Sequence, residues 1–178
     1  KQKTAYEIPK RDWSSDVCSS DLVGSNTSIQ LPNEEIQFSM TTNYPWEGNI
    51  KCSLQMNKKH ILPLAFRIPG WVNGIPAPGN LYYFENTSTI AKPIMKINGK
   101  EVNYSIEEGY AVITQEWRNN DVVEFQIPMT IQKIKARKEL MQDNGRVALQ
   151  RGPIVYCVEG ADNNGKAWNI IAPSQSNF

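Results

Sequence analysis

The chain has 178 residues, in which 19 Lys and Arg are balanced by 18 Asp and Glu to a formal net charge of +1. That balance gives no electrostatic pull toward nucleic acid or an anionic membrane surface, and no apolar run approaches the ~20 residues that a bilayer-spanning helix needs. Three cysteines (Cys18, Cys52 and Cys157) and a single histidine, His60, are too few and too scattered for a disulfide framework or a metal-ligand spacing.

The first stretch, KQKTAYEIPKRDWSSDVCSSDL, follows neither a helical nor a strand period. Back-translated in one frame, Lys1 to Glu7 and Asp12 to Leu22 reproduce the two constant blocks of a common indexed sequencing adapter. The gap between them, within Ile8 to Arg11, has the length of an index. Residues 1–22 are therefore read as adapter-derived, disordered and outside the fold. Residues 23–178 are read as one β domain, shortened at both ends relative to a larger parent, and Cys18 is set aside with the adapter.

From Val23 onward the period is two. SIQLPNEEIQFSMTTNY sets Ile36, Phe38 and Met40 against Glu35, Gln37 and Ser39. NIKCSLQM does the same with Ile50, Cys52, Leu54 and Met56, and ILPLAFRI with Leu62, Leu64, Phe66 and Ile68. The span 72–93, rich in proline, glycine and aromatic residues, breaks the alternation and reads as one long proline-rich insertion loop or an inserted edge element. In IMKINGKEVNY, Asn98-Gly99 is a hairpin turn of the type that takes positive φ at both residues. Glu107 and Glu108 before Gly109 read as another turn. YAVITQEW, VVEFQIPM and RVALQRGPIVYCVE continue the series, and the basic run KIKARK at 133–138 reads as a solvated strand or loop. Short strands at regular spacing, without a clean helical period, predict an all-β fold, an antiparallel β-sandwich.

Chemistry-bearing residues are sparse. His60, alone in polar surroundings, is a weak candidate for a base or ligand. Cys157, within the alternating IVYCVE, reads as a buried structural thiol. Glu47 and Glu159 are one of many arbitrary carboxylate pairs. There is no phosphate-cradling glycine loop, nucleophile elbow or zinc ligand set. What remains is aromatic residues beside proline and glycine, in TNYPWEG (42–48) and RIPGW (67–71). Pro45 and Pro69 stiffen the backbone that aims Trp46 and Trp71. Burial at the ends of the core is the expected fate of such rings; stacking on sugar faces is the alternative.

Five motifs in one order, TNYPWEG, LAFRIPGW, KINGKEV, GYAVITQEWRNNDVVEFQIPM and GRVALQRGPIVYCVEGADN, resemble the C-terminal β-rich region of glycoside hydrolase family 127, whose founding activity is β-L-arabinofuranosidase. The resemblance covers nearly all of Val23 to Asn164, and IPAPGNLYYF is similar to a proline-rich insertion in one branch of that family. It implies a bacterial enzyme whose catalytic unit is an N-terminal helical barrel, with a zinc-bound cysteine as nucleophile. Neither Cys52 nor Cys157 matches a nucleophile or zinc-ligand motif, so the resemblance implies no catalytic residue, metal ligand or cofactor in this chain; zinc is expected in the missing catalytic domain.

Two roles follow. One is a non-catalytic module that buttresses its own N-terminal catalytic domain through Tyr44, Trp46, Glu47 and Trp71, meeting plant-type arabinose-containing glycans only indirectly. The other is an autonomous carbohydrate-binding module with Trp46, Trp71, Tyr82 or Tyr83 as its platform. Neither involves nucleic acid or membrane. The compartment implied is periplasmic or extracellular, with the cytoplasm as the alternative.

Overall fold

The computed structural model describes residues 18–20, 22–31, 33–87, 91–167 and 170–173. Fourteen strands run in chain order: β1 Cys18–Ser20, β2 Ser25–Leu31, β3 Glu34–Thr42, β4 Asn49–Gln55, β5 His60–Arg67, β6 Tyr82–Phe84, β7 Ile94–Ile97, β8 Lys100–Val102, β9 Ser105–Glu107, β10 Tyr110–Trp117, β11 Val122–Gln126, β12 Ile131–Ala136, β13 Ala148–Arg151 and β14 Ile154–Tyr156. The only helical elements among the described residues are 3₁₀ turns at Gly70–Asn73, Met141–Asp143 and Ala161–Asn163. The strands form three sheets, ordered β1-β5-β10-β9, β2-β3-β4-β11-β7-β8 and β14-β13-β12-β6. Every pairing is antiparallel except β1 with β5.

The first two sheets face each other across one apolar layer. The alternation read from the sequence sets that layer: Ile36, Phe38 and Met40 of β3, Ile50, Cys52 and Leu54 of β4, and Leu62, Leu64 and Phe66 of β5 are all buried. Phe66 of the four-stranded sheet meets Phe125 of the six-stranded sheet with ring centroids 5.5 Å apart. Trp117, fully buried, donates its Nε1–H to Leu62 O at 2.8 Å and so ties the end of β10 to β5. The Asn98-Gly99 hairpin forms as expected: both residues have positive φ (49° and 80°) between β7 and β8.

Two expectations need correction. The span 72–93 is not loop throughout: the edge-element reading holds for Tyr82–Phe84, which pairs with β12 as the outer strand of the third sheet. Tyr-Tyr-Phe suits a strand, but three residues between loops are too short for a periodic signal. Residues 1–22 are not wholly outside the fold: Cys18–Ser20 pairs with Leu64–Phe66, and Leu22 is only 1% exposed within the core. The edge of β5 offers unpaired backbone groups that an extended segment of any sequence satisfies, and Leu22 supplies an apolar side chain where one is needed. Residues 1–17 lie outside the described residues. The third sheet has its own small interior, with Phe84, Ile134, Gln132 and Gln150 buried apart from the main cluster.

Candidate functional site

The corner between β3 and β4 is built by its own polar side chains. The Thr42 hydroxyl donates to Asn49 O (3.0 Å) and accepts from the Tyr44 N–H (2.9 Å), closing the corner at both ends. The N–H groups of Trp46 and Glu47 both donate to Asn43 O, at 2.8 and 3.2 Å, and Tyr44-Pro45 is a cis peptide. Gly48 then lies against β11's exit: Ile127 N donates to Gly48 O at 2.8 Å, and a Cβ on Gly48 would fall 1.8 Å from Ile127 O. Glycine is required by that approach, not by its φ.

The corner also reaches the third sheet. Arg151 of β13 donates from Nη1 to Trp46 O at 2.8 Å. The Met129 side chain sits between two glycines, since added Cβ atoms would come within 3.3 Å of it from Gly48 and 2.7 Å from Gly152. The segment leaving β11 is thus clamped between the corner and the β13–β14 turn.

The two tryptophans part company here. Trp71, in the first 3₁₀ turn, packs with Tyr44 against the core, as expected for a ring beside Pro69. Its buried Nε1–H lies near the Tyr44 hydroxyl but outside hydrogen-bond geometry, and so has no partner. Burial pushes the Tyr44 hydroxyl pKa up, an effect tempered by Trp71. Trp46, in contrast, is 68% exposed, which overturns the expectation of burial. Its backbone is held by the turn while its ring follows Pro45 outward; proline placement fixes backbone direction and says nothing of which side is solvent. Glu47 is exposed and lines an open cleft of about 430 Å³ on the outer face of the six-stranded sheet. The other carboxylate there is Glu124, flanked in register by Lys51 and Lys96; Glu159, beyond β14, is not part of it.

His60 has a partner that the sequence did not disclose. Its Nε2 is 2.6 Å from Glu34 Oε2, and Glu34 Oε1 accepts the N–H groups of Asn57 and Lys58 (the latter at 3.1 Å). The His60 bond, then the Asn57 bond, holds the Glu34 carboxyl below its ordinary range. Little protein packs around this carboxylate, yet the three donors leave its side chain only 5% exposed. It is a clasp on the β4–β5 turn. A glutamate opening β3 after PN is the only sequence signal for it, and strand pairing is needed to bring it to residue 60.

Cys52 is buried in the core, whereas Cys157 is exposed, correcting the reading of a buried thiol. Strand β14 ends at Tyr156 on a sheet edge, so the alternation that would bury residue 157 stops one residue earlier. Among the described residues, no group of three or more His, Cys, Asp and Glu is arranged to hold a metal ion. The residues present therefore do not fit the zinc expected of the catalytic domain. The described residues contain no helix long and apolar enough to cross a membrane.

The described residues form an all-β structure of mostly antiparallel sheets, with an aromatic corner between β3 and β4. The chain belongs to glycoside hydrolase family 127. Residues 21–129 match the family's β-L-arabinofuranosidase middle domain and residues 131–178 its C-terminal domain. The division falls between β11 and β12, so three strands of the third sheet lie after it and β6 before it. A non-reducing end β-L-arabinofuranosidase of Bifidobacterium longum subsp. longum is 23% identical over 167 residues, covering 92% of this chain and 22% of that protein. Among solved structures, a family 127 β-arabinofuranosidase superposes with a TM-score of 0.72 at 33% identity, covering 83% of this chain and 23% of that one. The Geobacillus stearothermophilus T6 family 127 β-L-arabinofuranosidase gives 0.68, also at 33% identity, over 85% and 21%. The chain therefore spans about a fifth of the length of these relatives, and corresponds to the family's non-catalytic middle and C-terminal β domains.

Proposed function

We propose that this chain is the β-structured support of a family 127 glycosidase, docking against a helical-barrel catalytic domain through the corner at Tyr44, Trp46 and Glu47, with Trp71 as its buried backing. The observation that carries the reading is the 68% exposure of Trp46 on a corner tied to β3, β4 and Arg151 of the third sheet. A large ring held out on stiff backbone suits a rigid partner: little conformational entropy is lost when it is covered, and exposed aromatics are the usual anchors of such contacts. Zinc and the bond-breaking residues belong on this reading to the barrel, and arabinose-containing glycans are met only through it.

The test is to express the catalytic barrel of a family 127 relative separately and titrate it with this chain. Association is expected to weaken about tenfold on Trp46→Ala, equivalent to ~1.4 kcal/mol, while the isolated chain loses about 1 kcal/mol of stability or less, as suits an exposed ring. No association with the barrel, or equal affinity for both forms, would sink the docking role of this corner.

A further inference from the structure

We infer that the cleft between the 72–93 insertion and the third sheet is a binding site for a neutral ring bearing hydroxyl groups, a sugar or cyclic polyol of about one residue. This goes beyond the docking role and does not depend on it.

The cleft has a volume of about 430 Å³ and is separate from the one beside Glu47. Pro76 and Ala77 of the insertion form one wall, and Ile134, Ala148 and Val155 supply apolar surface from β12, β13 and β14. Tyr82 of β6 adds an aromatic ring, with its hydroxyl donating to Asp143 Oδ2 at 3.0 Å. That bond orients the ring and occupies one carboxylate oxygen. Asp143 and Arg146 both line the cleft, which thus carries one charge of each sign, and a ligand of either sign gains little net attraction.

The second observation is Gln150. It lines the cleft, is only 3% exposed, and donates from Nε2 to Gly152 O at 2.6 Å, while its Oε1 has no hydrogen-bond partner. A buried acceptor left unpaired carries a desolvation penalty. A small shift of the amide toward the cleft lets a ligand O–H pair with it. The chemistry then selects the ligand: an apolar and aromatic surface takes a C–H face, the Gln150 acceptor takes a hydroxyl proton, and the Asp143–Arg146 pair takes further hydroxyls at the rim. Few convergent polar groups within mostly apolar walls are the usual make-up of a small-molecule site.

The experiment is a titration of the ¹⁵N-labelled chain with L-arabinose and its methyl glycosides, using glycerol as an acyclic control. Saturable shifts are expected at the amides of Ala77, Tyr82, Ala148 and Val155, with affinity of roughly millimolar and no saturation by glycerol. Gln150→Met is expected to weaken binding at least tenfold, and Ala77→Trp, which fills the cleft from the insertion without touching the sheet, to abolish it. Unfolding midpoints show that both variants fold. Absence of saturable shifts, shifts centred on Trp46 instead, equal saturation by glycerol, or unchanged affinity in folded Ala77→Trp would each overturn the site.

Discussion

Replacing Gly48 by alanine should damage the whole junction between the corner and the strand exits. The new Cβ would stand 1.8 Å from Ile127 O and 2.9 Å from Ile127 C, and both are backbone atoms that no rotamer change can move. Ordinary carbon–oxygen contact is reached only after a displacement of more than about 1 Å, and a gap of about that size already forfeits up to roughly half of a dispersion contact. That displacement opens the 2.8 Å bond from Ile127 N to Gly48 O and shifts Ile127, which is buried in the core. Overpacking costs about 1–3 kcal/mol and a lost backbone hydrogen bond about 1 kcal/mol, so a total near 2–4 kcal/mol is expected. Urea unfolding followed by far-UV circular dichroism measures it. Gly24→Ala is the control: its Cβ would meet only Met40 O, at 3.6 Å, and should change stability by about 0.5 kcal/mol or less. A loss below about 1 kcal/mol for Gly48→Ala, or equal effects of the two changes, would refute the close-approach argument.

Trp71→Phe removes a buried N–H that has no partner, so it should cost about 1 kcal/mol or less, or stabilise; a loss above about 2 kcal/mol would show that the group is bonded in solution. The Glu34 carboxyl is depressed in the folded state, so its contribution is fully present above its unfolded value of about 4.3 and is lost as pH falls through the lower folded value. Unfolding midpoints measured from pH 6 to pH 3 should accordingly show a shallower acid limb in Glu34→Gln than in the parent, and identical limbs would contradict the clasp. Deleting residues 1–17 should leave the unfolding midpoint unchanged, as the adapter reading requires. Leu22→Ala in the same background should cost about 2–3 kcal/mol, because that side chain is buried in the core. A large loss from the deletion alone would return those residues to the fold.

The parts of the fold legible in the sequence were those in which one face of a strand meets the core. Period-two alternation in β3, β4 and β5 gave the buried set directly, because strand geometry makes alternation and burial the same statement. Asn98-Gly99 was equally legible, since few residue pairs tolerate positive φ twice. Edges were not legible. β6 and β14 have three residues each, too few to show a period, so the insertion could be read equally as loop or edge element and the exposure of Cys157 was missed. Of the aromatic corner, stiffness could be read from Pro45 and Gly48, but not which ring would be covered. Trp71 and Trp46 have similar neighbours and opposite fates. The pairing of Glu34 with His60 depends on how β3, β4 and β5 are brought together, which is long-range information that a local pattern does not hold.

Strand β6 arises from the middle-domain stretch of the chain yet completes the sheet of the C-terminal domain. Its hold extends past the pairing itself, with Glu85 N donating to Lys133 O, Arg137 N to Leu81 O, and Glu85 pairing with Lys135. The apparent joint near residue 130 is therefore a poor place to recombine or cut. A C-terminal domain transplanted alone would carry β12 with a bare edge, and the donor left behind would carry an unpaired Tyr-Tyr-Phe strand, each a template for aberrant pairing. In this chain the two domains share one sheet, and an exchange between homologues that respects the fold must move the insertion together with the sheet it completes.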